Sequence, residues 1–127
     1  MNKILFILTS LLLLGCSNHE KLVNLAQQDQ WRQVGFIDGN SGHYQRDKNE
    51  LEKLSMLTNN DYETYKKGYM EGINQFCQPR RAYQQGLDGQ EYQGQCVNSS
   101  DEKLIIEEWD KGYDIYTIDA SFLFSND

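Results

Sequence analysis

The chain has 127 residues, of which 39% are hydrophobic and 24% charged, and its net charge is −7. This length suits one small domain with a modest core. The acidic balance excludes the basic footprint of proteins that bind phosphate backbones, so we expect no nucleic-acid partner. A single proline and the lack of low-complexity runs argue against a disordered tether.

The first sixteen residues are organised like a bacterial lipoprotein signal. Lys3 is followed by an eleven-residue, largely apolar stretch over 4–14. Because roughly 20 apolar residues are needed to span a bilayer, this stretch is too short for a transmembrane helix and fits a secretory signal. The closing motif Leu-Leu-Gly-Cys16 resembles the lipobox, in which the cysteine sulfur is acylated and the chain is cut before the cysteine. We therefore predict a signal peptide over 1–15 and lipidation of Cys16.

The lipobox resemblance implies a location in the bacterial cell envelope. Ser17 stands where an aspartate would favour retention at the inner membrane, so we expect an outer-membrane lipid anchor facing the periplasm. Loss of residues 1–15 removes Lys3 and no acid, which leaves a mature charge of −8. Because so acidic a surface is repelled by anionic lipid, acyl chains must supply the attachment. Two alternatives remain open: an ordinary signal peptide cut elsewhere, and a core segment that ends in Gly-Cys by chance.

Two further cysteines, Cys77 and Cys96, remain for other roles. In an oxidising periplasm a lone pair in a small domain usually forms a disulfide, which we predict here. A metal site is one alternative, but it needs more ligands, and the nearest histidine, His43, is isolated in the sequence. A redox-active pair is the other alternative, but it usually has Cys-x-x-Cys spacing.

A short phrase of aromatic residues and glycines recurs along the mature chain. Its copies begin at Trp31, Tyr65, Tyr83 and Trp109, and in each a glycine follows the aromatic residue by three or four positions. The copies are too irregular for a solenoid with a fixed period, so we interpret them as one packing solution used several times. Glycine inside a helix costs roughly 0.5–1 kcal/mol relative to alanine. Its repeated use predicts that another backbone or an aromatic ring lies against these helices.

The second and fourth copies lie on predicted helices. Asn60 with Glu63, and Ser99 with Glu102, have the spacing of capping boxes at the start of each helix. Apolar and aromatic residues then recur at intervals of three and four, which places them on one helix face. The two stripes are Tyr62, Tyr65, Tyr69, Ile73 and Phe76, and Ile105, Trp109, Gly112, Tyr113 and Tyr116.

The other segments complete a predicted fold that is mainly α. A polar spacer over 16–28 precedes a helical domain over 29–118, and a C-terminal tail follows over 119–127. A middle helix is predicted over 46–57. The Gly- and Tyr-rich stretch over 78–98 is predicted to be a turn-rich connecting loop that the disulfide staples, with room for one helical turn over 83–86 and a short extended piece over 92–97. We therefore predict a small bundle of three to four antiparallel helices.

The order of these features resembles the DUF2799 family. It reads Trp…Gly-Phe-x-Asp-Gly, Tyr-x-x-Gly-Tyr-x-x-Gly-x-x-x-Phe-Cys, Tyr-x-x-Gly, Tyr-x-Gly-x-Cys and Trp-x-x-Gly-Tyr over residues 31–116, and the strongest block runs from Tyr65 to Cys96. The resemblance implies a small proteobacterial lipoprotein of unknown function. It supplies no catalytic residues that could be carried over to this chain.

Three acids recur within the glycine phrase: Asp38, Glu71 and Asp88. They would form a site if they converged on a cation or a basic ligand, whereas the alternative is that they cap helices or pair with neighbours. The residues from Asp38 begin like a calcium loop but lack its acid at the fifth position and its glycine at the sixth. We predict no catalytic residue, no metal site and no cofactor.

The sequence therefore predicts a non-enzymatic, lipid-anchored envelope protein that makes a protein or envelope contact through an aromatic-rich helical surface. The alternative is a module that binds a small ligand or cell-wall fragment by Tyr and Trp stacking with acidic contacts. A concave pocket lined by Tyr, Trp and acids favours the alternative. A closed aromatic core with the glycines against other helices favours the interaction role.

Overall fold

The computed structural model describes residues 14–124, and the side chains of residues 18–123. This part of the chain forms six helices and no strand, which confirms the mainly α class. The predicted count of three to four helices is too low, because the stretches over 16–28 and 78–98 each contain a helix. The helices are α1 (Leu14–Gln27), α2 (Trp31–Asn40), α3 (Lys48–Glu52), α4 (Asn59–Phe76), α5 (Pro79–Leu87) and α6 (Glu102–Phe124).

The membrane-related predictions fall largely outside this part. Residues 1–13 and the side chain of Cys16 lie outside the described residues, so the signal peptide over 1–15 and the lipidation stay predictions. Among the helices that are described, none is long and apolar enough to cross a membrane.

Helices α2 and α4 form the first of two closely packed pairs. A Cβ built on Gly35 would lie 2.7 Å from the amide nitrogen of Tyr69, and one on Gly39 would lie 2.6 Å from that of Ile73. Both contacts advance by four residues in the same direction, so the two helices run parallel. The predicted antiparallel packing is therefore wrong for this pair.

Helices α5 and α6 form the second pair and repeat this arrangement over one helical turn. A Cβ on Gly86 would lie 2.6 Å from the amide nitrogen of Tyr113, and one on Gly112 would lie 2.8 Å from that of Leu87. We call one such reciprocal contact, with a glycine from each helix, a glycine step. The contact of Gly86 and Gly112 reproduces the second glycine step of the first pair, that of Gly39 and Gly72, and these helices are also parallel. The glycines thus remove the side chains that would keep the two backbones apart.

The turn that follows the first helix of each pair is also repeated. It contains a glycine with positive φ, Gly42 at 72° or Gly89 at 77°, a conformation that costs glycine little. The ring of Phe76 covers Gly42, and the ring of Tyr116 covers Gly89. The two pairs therefore correspond residue by residue: Gly39, Gly42, Gly72 and Phe76 match Gly86, Gly89, Gly112 and Tyr116.

A side-chain hydrogen bond ties each turn to the second helix of its pair. The Tyr69 hydroxyl donates to the carbonyl oxygen of His43 at 2.7 Å. At the matching position, the indole nitrogen of Trp109 donates to the carbonyl oxygen of Gln90 at 2.6 Å. The four copies of the sequence phrase are thus two interlocking pairs, and the prediction that a backbone or a ring lies against the glycines is confirmed.

Two adjoining clusters of buried side chains form the core. Complete burial of one large apolar side chain contributes about 1.5–3 kcal/mol. Helix α1 supplies Leu22 and Ala26 to the first cluster, so its second half packs on the first pair. The first cluster also holds Trp31, Val34, Leu51, Leu54 and Tyr65, and the second holds Ile73, Phe76, Cys77, Ala82, Cys96, Ile105 and Trp109.

Helix starts differ from the predictions in detail. Helix α4 is capped by Thr58, whose hydroxyl accepts from the amide of Asp61 at 3.1 Å, and not by Asn60. Helix α6 begins at Glu102, which is therefore its first residue and not its third. The predicted middle helix over 46–57 is reduced to the five residues of α3.

The end of the first pair packs on the second pair. The Phe76 and Trp109 rings meet edge to face with centroids 6.0 Å apart. Arg81 donates to the side-chain and main-chain oxygens of Asn40 at 2.6 and 3.0 Å. Its guanidinium also lies 5.3 Å from the centroid of Phe76. These contacts, together with the covalent link described below, join the two pairs.

Candidate functional site

A buried ion pair fixes the loop that leaves the first pair. The side chain of Asp38 is fully buried, and it accepts from Arg46 at 2.8 and 3.1 Å through both carboxylate oxygens. It also accepts from the Tyr65 hydroxyl at 2.9 Å, and that hydroxyl accepts from the backbone amide of Arg46 at 3.0 Å. Each buried polar group in this network therefore has a partner, which is the condition for its stability.

The network perturbs the groups that form it. The hydrogen bond to Asp38 raises the pKa of Arg46 against the opposing effect of burial. Burial raises the pKa of Tyr65 well above its ordinary value. Burial also raises the pKa of Tyr69, and the negative charge of Asp38 adds to that effect. The two tyrosines therefore stay neutral and hold the loop that carries Tyr44 and Gln45.

A disulfide fixes a second loop opposite the first. Cys77 and Cys96 are bonded with their Cα atoms 5.6 Å apart, so the predicted disulfide is confirmed. The backbone amide of Cys96 also donates to the Tyr92 hydroxyl at 3.2 Å. The Tyr44 hydroxyl donates to the carbonyl oxygen of Gln93 at 2.9 Å and so bridges the two loops.

A groove of about 380 Å³ lies between these two loops and α4. Tyr69, Met70, Ile73 and Cys96 contribute its apolar surface. Side-chain amides and the hydroxyls of Tyr44, Tyr69 and Ser99 supply hydrogen-bonding groups, and the described residues that line the groove include no acidic, basic or histidine residue. The described residues that line it are Tyr44, Gln45, Tyr69, Met70, Ile73, Asn74, Cys77, Gly94, Gln95, Cys96, Val97, Asn98 and Ser99.

The three acids singled out in the sequence do not share a site. Asp38 is enclosed by Arg46 and Tyr65. Glu71 is exposed and pairs with Arg32, whose hydrogen bond lowers the pKa of Glu71, in a second groove of about 410 Å³. Asp88 accepts from the Gln84 side chain at 3.0 Å at the end of α5. Capping and pairing are therefore their observed roles.

His43 and the metal alternatives can also be placed. The Nδ1 atom of His43 lies 3.9 Å from Asp38, whose carboxylate is already held by Arg46 and Tyr65. Within the described residues no group of three or more His, Cys, Asp or Glu could hold a metal ion. The calcium-loop pattern that begins at Asp38 therefore coincides with a structural ion pair.

Sequence reasoning missed most of the groove. It emphasised the stripe that holds Tyr69 and Ile73, but it did not select Tyr44, Met70 or Val97. These residues come from three separate segments that only the fold brings together. The one available signal was the pair of cysteines, because a disulfide at Cys96 places its neighbours beside the end of α4.

The comparisons with known proteins agree with the sequence resemblance. The model of DUF2799, described as a protein of unknown function, matches residues 30–114. The uncharacterized protein YfiL of Escherichia coli (strain K12) is 31% identical over 116 residues, which cover 90% of this chain and 92% of YfiL. No solved structure shows significant similarity to the chain. The match covers both helix pairs up to Asp114, and the chain belongs to the DUF2799 family.

Proposed function

We propose that this chain is a lipid-anchored envelope protein that works by contact and not by catalysis, with the groove between its two fixed loops as the contact surface. The observation that carries the proposal is the lining of the groove, which combines apolar and uncharged polar groups. Attachment through Cys16 at the periplasmic face of the outer membrane follows from the lipobox resemblance.

The chemistry of the groove suits an uncharged, extended segment of another envelope protein. The carboxamides of Asn74 and Asn98 each carry donors and an acceptor, which match the alternating groups of a peptide backbone. The Gln95 side-chain oxygen accepts from the amide of Gln93 at 2.9 Å, so Gln95 offers mainly its amide donors. Met70 and Val97 are substantially exposed at 48% and 59%, and they offer apolar area for side chains. General acid–base catalysis needs a titratable group within reach of the substrate, and the buried carboxylate of Asp38 is already occupied by the fold.

Site-specific photocrosslinking in intact cells tests the contact. A photoreactive residue at Val97 should yield a discrete crosslinked product, whereas one at Lys103, which is exposed on α6, should not. Substitution of Asn74 by Leu should then reduce the Val97 product. Equal products from both positions would contradict the groove assignment, and turnover of an envelope substrate by the purified chain would contradict the non-enzymatic role.

The alternative, a small-ligand or cell-wall-fragment module, is favoured by one observation, the size of the groove. Its volume of about 380 Å³ lies in the range of ligand sites. The groove contains tyrosines but neither Trp nor acids, so the stacking and acidic contacts predicted for this alternative are only partly available. Saturable binding of soluble cell-wall fragments, with amide shifts at Gln95 and Asn98, would establish this function in place of the protein contact.

The anchor is tested separately. Cys16→Ala should abolish incorporation of a palmitate analogue and release the chain from the membrane fraction. Fusion of this variant to the signal peptide and lipobox cysteine of another lipoprotein should restore the labelling. Continued labelling of Cys16→Ala would remove the lipid anchor from the proposal without affecting the groove.

A further inference from the structure

The second helix pair ends in an apolar surface that shares no residue with the groove. Along α6, Ile105, Trp109 and Gly112 face the core, and Tyr116, Ala120 and Leu123 continue the same stripe at intervals of three and four. Tyr116 is 43% exposed and Leu123 is 78% exposed. The stripe therefore extends beyond the part of the helix that α5 covers.

The matching end of the first pair shows what such a surface accommodates. Phe76 corresponds to Tyr116, and it is only 4% exposed because the second pair covers it. The ring of Trp109 packs against it at an interplanar angle of 62°, and the guanidinium of Arg81 lies over its face. The first pair thus ends in an aromatic ring that is capped by a helix and an arginine.

The difference in exposure follows from where the helices end. Helix α4 ends at Phe76, and the chain turns at Gln78 and Pro79 into α5, which covers the ring. Helix α6 does not end at Tyr116 but continues to Phe124. Among the side chains of residues 18–123, none takes over at Tyr116 the position that Arg81 has at Phe76.

The charges around this end are acidic. From Tyr113 to Phe124 the sequence has no basic residue. Asp119 lies about 60° from Tyr116 around the helix and so flanks the stripe, whereas Asp114 lies on the opposite side. The turn that Tyr116 covers adds Asp88 and Glu91. A second copy of so acidic a chain would bring like charges together, whereas a basic segment is complementary.

We propose that this surface, formed by Tyr116, Ala120, Leu123 and the turn at Gly89, docks a basic amphipathic helix of another protein. The partner helix packs along the overhanging end of α6 and places an arginine on the ring of Tyr116, as Arg81 is placed on Phe76. Cation–π contact and apolar burial combine at this position. The proposal is independent of the groove.

NMR of the full chain during titration with synthetic peptides tests this proposal, with the shifts of backbone amides as the readout. The probes are two synthetic helical peptides with one apolar pattern, one with arginines on its polar face and the other with glutamates. The arginine peptide should shift the amides of Gly89, Tyr116, Ala120 and Leu123, and the glutamate peptide should not. Shifts that map to another face, or equal binding of both peptides, would overturn the proposal.

A pair of variants with the same charge change separates docking from general attraction. Leu123→Lys lies on the stripe, and Ile118→Lys lies about 140° away around the same helix. Both residues are largely exposed, so neither substitution disturbs the core. Leu123→Lys should weaken binding of the arginine peptide about tenfold, and Ile118→Lys should weaken it less than about twofold. Equal weakening would show diffuse attraction only, and self-association through this face in sedimentation would show that a second copy is the occupant.

Discussion

The two helix pairs share a backbone arrangement but differ in how their loops are fixed. In the first pair, Asp38 lies one residue before the glycine contact and binds Arg46 and Tyr65. In the second pair the matching positions hold Gln85 and Ile105, which form no such network. The loop beside the second pair is instead held by the Cys77–Cys96 disulfide, which also ties it to the first pair.

The comparison shows that two kinds of contact have separate roles: one positions the helices, which form the frame of the molecule, and the other holds the loops. Glycine contacts set the distance and direction of the helices in both pairs, and they need no particular residue in the loops. An ion pair fixes its loop in any redox environment but requires complete hydrogen bonding, whereas a disulfide requires an oxidising compartment. The groove lies between one loop of each kind, so its shape depends on both devices.

Substitution of Gly68 by alanine should have the largest effect, because it disrupts the close contact between α2 and α4. A Cβ at this position would overlap the carbonyl group of Arg32, and neither backbone can move without shifting its whole helix. We expect a loss of more than about 3 kcal/mol in the free energy of unfolding, measured by urea denaturation. Lys67→Ala, on the exposed neighbouring position, is the control and should cost under about 0.5 kcal/mol.

The same test in the second pair sharpens the comparison. Gly112→Ala would place a Cβ against Tyr83 and Leu87 and should also destabilise strongly. The first pair has two glycine steps and the second pair has one, so Gly68→Ala should additionally unfold the first cluster. Near-wild-type stability of either alanine variant would contradict the parallel packing.

Removal of the buried carboxylate should have the next largest effect. In Asp38→Ala, the guanidinium of Arg46 and the hydroxyl of Tyr65 lose their acceptor. We expect a cost of about 3 kcal/mol, the low end for a broken buried pair, since Arg46 is partly exposed and can turn to water. Gln85→Ala, at the matching position, should cost under about 1 kcal/mol. Equal costs would mean that the network does not stabilise the first loop.

The sequence was sufficient to predict the parts that local physics controls. The helical stripe that ends at Phe76 predicted α4, the glycines beside it predicted a close helix contact, and the structure confirms both. Two cysteines in a small domain were enough to predict the disulfide. Each of these features depends on residues within a few turns or on a single possible pairing.

The parallel direction of the pairs and the groove could not be predicted in this way. The phrases at Trp31 and Tyr65 are compatible with either helix direction, since glycine permits both. The pairing of Asp38 with Arg46 depends on a turn at Gly42 whose geometry requires the whole fold. Met70 and Val97 meet in the groove only because the disulfide and the buried network position two distant loops.

Loss of the disulfide should lower the free energy of unfolding by slightly less than loss of the ion pair. It should also loosen a different part of the chain. Cys77 and Cys96 are 19 residues apart, and opening a loop of this size should cost about 3 kcal/mol at most. In Cys77→Ala with Cys96→Ala, hydrogen exchange should accelerate over 92–99 and remain slow at Tyr65. Equal acceleration in both regions would show that the two loops are not fixed independently.

Alkaline pH should weaken the first network through Tyr65. Burial raises the pKa of Tyr65 in the folded chain, so the folded state keeps a proton that the unfolded state loses above its ordinary pKa of about 10. The contribution of Tyr65 to the free energy of unfolding is therefore complete below that pH. It declines as pH rises, and the decline approaches about 1.4 kcal/mol per pH unit when one full proton is lost. Tyr65→Phe should remove this share of the slope, which averages about half a proton between pH 9 and 11, as measured by denaturation over that range. An unchanged slope would contradict it.

The two buried tryptophans offer the smallest and most closely matched comparison. The indole of Trp109 donates to Gln90, whereas the indole nitrogen of Trp31 has no hydrogen-bond partner among the described residues. Substitution by Phe removes similar volume at both sites. Only Trp109→Phe also leaves a carbonyl oxygen without its donor, which costs about 1 kcal/mol. Trp109→Phe should therefore be more destabilising than Trp31→Phe by about that amount in urea denaturation. If the two costs were equal, the bond from Trp109 would contribute nothing beyond packing, and the second turn would be held by its other contacts with α6, the ring of Tyr116 and the hydrogen bond from Tyr113 to Glu91.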